Sequence, residues 1–117
     1  INVVHMLRLM RQRVRNRSIE FADNRISLFS AQWGRCAITG KEFTRLNEIH
    51  CHHKLPKAKG GTDKFSNLIL VCQPVHRLIH ATDGALIETL KSLLQLDKQQ
   101  FKKLNKLRTE AGLQEIE

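Results

Sequence analysis

Five of the six histidines fall between His50 and His80, and four of them stand at spacings that chemistry can use. His76 and His80 are four residues apart in PVHRLIHA, so on a helix both imidazoles project from one face and one metal ion can sit between them. The adjacent His52 and His53 can supply one more ligand and one imidazole left free to take a proton. With an ordinary pKa of about 6.5, that imidazole is mostly neutral at physiological pH. Asn67 lies between the two halves. A base, a cation and alignment are what phosphodiester hydrolysis requires, because the anionic diester repels nucleophiles and its alkoxide leaves poorly.

The elements that must position these groups follow from the pattern around them. Residues 48–53 read as a strand with Ile49 and Cys51 facing one way and Glu48, His50 and His52 the other. Strict alternation sends His52 and His53 to opposite faces, so a site that uses both needs the strand to twist or end there. Pro56 makes that ending natural, because it cannot continue ladder pairing. The loop KAKGGTDKF follows, with Gly60-Gly61 making its turn and Lys54, Lys57, Lys59 and Lys64 along its border; Lys57 and Lys59 are placed to hold a phosphate backbone. The apolar run at 68–72 suits a buried second strand. Pro74 sits where a helix start tolerates it, which places His76 and His80 near the beginning and middle of that helix, with Leu78 and Ile79 inward.

At these residues the sequence resembles the HNH endonucleases, whose ββα-metal fold wraps two short strands and a helix around one divalent cation. The match runs through His52, His53, Pro56, Gly60-Gly61, Asn67, Leu68, His76 and His80. The flank NRSIEFADNRISLFSAQWGRC and the helical tail further resemble the C-terminal DNA-binding and endonuclease region of bacterial group II intron reverse transcriptase/maturases. The resemblance implies an α+β fold, a ββα-metal core with flanking helices at both ends. It also implies His53 as general base, Asn67 as the group that orients it, and His52, His76 and His80 as metal ligands. The implied substrate is double-stranded DNA, nicked for intron mobility, with intron RNA bound through the full-length protein. Mg²⁺ is the ion this family implies, although three imidazoles suit Zn²⁺, Ni²⁺, Co²⁺ or Mn²⁺ as well. Many family members carry Glu two residues before the histidine pair; His50 stands there instead and reads as a supporting group.

Composition narrows the partners. A formal net charge of +9 and a pI near 10 favour a polyanion, and no apolar run reaches the roughly 18 residues of a membrane span. Three cysteines without the spacing of a secreted scaffold fit a reducing cytoplasm. Family members often carry two C-x-x-C pairs that bind structural zinc, but here Thr39 and Val75 replace the second thiols. No four-cysteine structural zinc is therefore expected, and Cys36 and Cys72 read as small buried neighbours. Residues 1–34 read as a basic helical DNA-binding arm: a helix over residues 3–14, then Arg11, Arg13, Arg15 and Arg17, then a helix capped by Asp23 or Asn24 with Ile26, Phe29 and Trp33 inward. The start at Ile1 suggests a piece of something longer. The ββα core spans 35–82, and 83–117 reads as a helical hairpin. Its first helix is opened by Asp83 and buries Leu86, Leu90, Leu93 and Leu94. Its second is opened by Asp97 with Gln100 and buries Phe101, Leu104 and Leu107, while Lys102, Lys103, Lys106 and Arg108 charge the outer face. An alternative is a non-catalytic, metal-stabilised nucleic-acid-binding module, which leaves His53 without a task.

Overall fold

The computed structural model describes Val4, Arg8 and residues 18–117. Arg11, Arg13, Arg15 and Arg17, and all but Val4 and Arg8 of the expected first helix, lie outside the described residues. The first complete helix, α1, is Ile19–Ala31. It begins earlier than expected because Ser18, rather than Asp23 or Asn24, is the cap, its Oγ accepting the Phe21 N–H at 2.9 Å. Phe21, Arg25, Leu28 and Phe29 form its buried face. Trp33, expected on that face, is instead 68% exposed. The helix has already closed at Gln32, and Trp33 adopts a left-handed φ of 57°, which turns its side chain away from the helical stripe.

A two-stranded antiparallel sheet pairs β1, His50–His53, with β2, Leu68–Val71, in the register His50 with Val71 through His53 with Leu68. The strand starts at His50 rather than at residue 48, because Leu46–Glu48 forms a 3-10 turn. On the open edge of β2, the Gln32 side chain donates to the Leu70 carbonyl and accepts the Leu70 N–H, both at 2.9 Å, so this edge is bonded without a third strand. The sequence-expected turn at Gly60-Gly61 is present. Gly60 is left-handed at φ 93°, and a Cβ on Gly61 would collide with the Leu55 carbonyl oxygen.

Helix α2, Gln73–His80, follows β2 directly, with Pro74 in its first turn. Helices α3, Gly84–Leu94, and α4, Lys98–Glu110, are capped by Asp83 and by an Asp97–Gln100 capping box. Each packs principally on α2, and they touch each other little. Leu93, expected inward, is 66% exposed, because the core-facing stripe of α3 runs through Leu86, Ile87, Leu90 and Leu94 and leaves Leu93 at its side. Arg108, expected on the outer face, is buried at 3% exposure. Its guanidinium donates to the carbonyls of Leu78 at 2.7 Å, Ile79 at 3.3 Å and Ala81 at 2.8 Å, and its Nε donates to Gln114 O at 2.8 Å. These are carbonyls that the C-terminal end of α2 leaves without intrahelical partners, so a side chain rich in donors is drawn in. The core is built from Phe29, Phe43, Leu70, Val71, Val75, Leu78, Ile79 and Leu104, each at most 2% exposed. The architecture is α+β, with one small sheet between α1 and the helices of the C-terminal half.

Candidate active site

The alternation of β1 separates its two adjacent histidines. His52 turns toward α2, where its ring lies 5.4 Å from that of His76 and 5.1 Å from that of His80, and the two helical rings are 4.9 Å apart. One nitrogen from each of the three lies within 4.8 Å of the others, so small ring rotations would bring all three to the bond lengths of about 2.0–2.1 Å that one ion needs. His52 is 2% exposed and its Nε2 has no hydrogen-bond partner. A buried nitrogen lone pair with nothing to accept is costly unless a cation takes it. Burial, and then the nearby His76 and His80, push His52 down to about 3. Burial, followed by His80 and His50, takes His76 to about 4, and burial followed by Arg108 also lowers His80. All three are therefore neutral at physiological pH, the form that binds a metal. His50 stands beside His76 with ring centres 5.3 Å apart.

His53 faces the opposite environment. Its Nε2 lies 2.8 Å from Asp63 Oδ1, and its ring stacks on Phe21 at 5.6 Å and an interplanar angle of 10°. Asp63 is buried and also accepts from Ser18 Oγ at 2.6 Å and Lys57 Nζ at 3.0 Å. The His53 hydrogen bond, with help from Ser18 and Lys57, holds the Asp63 carboxyl well below the usual carboxylate range. A neutral imidazole that donates from Nε2 to a carboxylate keeps its lone pair on Nδ1.

Asn67 closes the loop between the strands. Its Oδ1 accepts the Leu55 N–H at 2.8 Å, and its Nδ2 donates to Leu55 O at 3.1 Å and Thr62 O at 2.8 Å. These bonds fix both ends of the segment carrying His53 and Asp63. His52, His53, His76 and His80 line one depression of about 230 Å³ together with Pro56 and Lys57. Lys59 reaches away from it, donating to Ala111 O at 3.3 Å at the end of α4. Cys36 and Cys72 are neighbours: Cys36 Sγ accepts the Thr39 N–H at 3.5 Å and the Cys72 N–H at 3.4 Å. The side-chain hydrogen bond between the two thiols lowers Cys36 and raises Cys72.

Residues 34–82 match the HNH endonuclease family model. This segment is similar to HNH endonuclease domains. No curated protein and no solved structure matches the chain. HNH domains bind a divalent metal and act on DNA, and in this one the His52, His76 and His80 group could hold the ion. Among the described residues, no helix is long and apolar enough to cross a membrane. Sequence reasoning does not single out Asp63, Ser18 or Phe21. A signal for Asp63 is present: it is the only carboxylate between Glu48 and Asp83, and it lies in the loop that follows the histidine pair. Ser18 and Phe21 carry none, since they lie ahead of the matched segment.

Proposed function

We propose that this chain is a metal-dependent DNA endonuclease in which His53 is the general base and His52, His76 and His80 hold the ion. The observation that carries the reading is the shared depression, with three neutral imidazoles on one side and a carboxylate-paired imidazole on the other. When bound, the ion supplies a Lewis acid for the phosphate and for the leaving 3′ oxygen. His53 takes the proton of the attacking water at Nδ1, while Asp63 keeps Nε2 protonated and the ring in place. Phe21 holds the ring plane, and Asn67 fixes the loop beneath it. The nitrogen-only donor set favours Zn²⁺, Ni²⁺ or Co²⁺ over Mg²⁺, which prefers oxygen ligands and retains its waters.

In its finer form the proposal is that the enzyme nicks target DNA for group II intron mobility as the C-terminal part of a cytoplasmic reverse transcriptase/maturase that also binds intron RNA. The likeness of its flanks to those proteins supports this. The arginines at 11, 13, 15 and 17, with Lys57 at the edge of the depression, are the proposed phosphate contacts, whereas Lys59 is turned to the Ala111 carbonyl. The test is nicking of supercoiled plasmid in EDTA, Mg²⁺, Mn²⁺, Ni²⁺ or Zn²⁺ beside His53→Ala. Metal-dependent nicking should fall about 10²- to 10⁴-fold in the variant, with metal affinity unchanged. A variant that nicks as fast as the unaltered protein removes His53 from the chemistry.

A further inference from the structure

Four lysines of α4 converge on one groove. Lys98, Lys102 and Lys106 recur every four residues, about 6 Å apart along the axis, and Lys103 lies beside them. All four are exposed, and with Glu115 and Thr109 they border a concavity of about 750 Å³. Among the described residues none of their ammonium groups makes a salt bridge or a hydrogen bond. Elsewhere, Lys57 pairs with Asp63, Lys59 with the Ala111 carbonyl, and Lys91 with Glu88. Asp97, Glu110 and Glu115 are acidic groups nearby, and none of them engages one of these lysines. Like charges gathered around a hollow repel one another and focus a positive potential into it, an arrangement that an anion relieves.

The positive surface does not stop at the helix. Lys103 and Lys106 also line a second hollow, of about 240 Å³, together with Lys54. Lys54 follows His53 directly in the chain and is close enough to His52 for its charge to be felt there. The lysines therefore run from the start of α4 to Lys54, the residue that follows His53 in the chain. Helix α4 itself lies outside the residues matched by the family model.

We infer that the lysine face of α4, continued through Lys54, is a nucleic-acid contact that carries the backbone of duplex DNA to the histidine depression. The inference rests on the nuclease reading and adds to it a binding surface that the catalytic constellation does not contain. The contact is with phosphates, so it positions the duplex and does not read its sequence.

The experiment measures binding of a fluorescent DNA duplex by anisotropy across a salt series in EDTA, so that cleavage plays no part. The unaltered protein is compared with K98Q/K102Q/K103Q/K106Q, with circular dichroism confirming that the helix is retained. The variant's log Kd against log salt should be shallower by about 0.9 for each lysine in contact. On plasmid at saturating concentration, its nicking rate should match that of the unaltered protein while its KM rises. An unchanged salt slope with intact DNA binding overturns the α4 contact and leaves the nuclease reading standing. A slope that changes on an RNA duplex but not on DNA also overturns it. Failure of the unaltered protein to bind DNA at all sinks both.

Discussion

His52 and His53 are neighbours in one strand, of the same chemical type, and the fold gives them opposite surroundings. His52 is buried against two other imidazoles, and its Nε2 is unpartnered. His53 enters a charge-paired pocket, bonded to an aspartate that is itself held by a serine and a lysine. A period of two along β1 is enough to place them on different faces, and the end of the strand at His53 lets both open onto the same depression. In the proposed mechanism one residue type serves as a metal ligand where the surroundings keep it neutral and unbonded, and as an oriented base where a carboxylate fixes its tautomer.

The largest expected separation of the two roles comes from Asp63→Asn. Losing the carboxylate frees the His53 ring and its tautomer, so cleavage should slow about 10- to 100-fold, the usual cost of removing a group that orients a functional histidine. Metal affinity, measured by titration calorimetry, should stay the same; a parallel loss of metal binding would show that the two faces are not independent.

Acid stability sharpens the contrast next. His52 at about 3 and His76 at about 4 lie below the ordinary 6.5. Without metal, the unfolded chain therefore binds more protons than the folded one between about pH 4 and 6.5, and stability should fall as pH drops through that window. The Asp63 carboxyl is depressed below its ordinary 3.8, so its contribution is full above that value and is lost only at more acid pH. Urea midpoints in EDTA at pH 7.5, 5.5 and 4.5 should decline, and His52→Gln should decline less steeply. Identical profiles for the two proteins would count against the burial of a neutral His52.

The smallest effect is expected from Ser18→Ala, which removes one of several donors to Asp63 and the cap of α1. Stability should drop by about 1 kcal/mol, read from urea midpoints, and cleavage only a few-fold. A loss as large as that of Asp63→Asn would make Ser18 essential to the carboxylate's position.

The local chemistry is legible in the sequence because it is written at short range. The four-residue spacing of His76 and His80, the loop glycines, Asn67 and the Pro74 helix start all depend on neighbours within a turn or a loop. The features that sequence does not reveal depend on contacts that spacing does not encode. Ser18 meets Asp63 across 45 positions. Arg108 occupies a position that periodicity leaves ambiguous, and only the nearby carbonyls of α2 explain why it turns inward. Extending the helical period one residue past the point where the backbone leaves it carries Trp33 onto the α1 stripe, where it does not lie. Asn67 grips Leu55 with a side-chain amide that stands in for strand pairing inside the loop.

The Arg108 cap also bears on where this module ends. The last turn of α2, which carries His80, finds donors for its carbonyls on a residue well beyond position 82, the end of the family match. Cut free at that boundary, the ββα unit would present bare carbonyls at the foot of the helix that carries His76 and His80. The smallest independent piece able to keep the histidine cluster in shape is therefore longer than the matched segment, and it extends at least through α4.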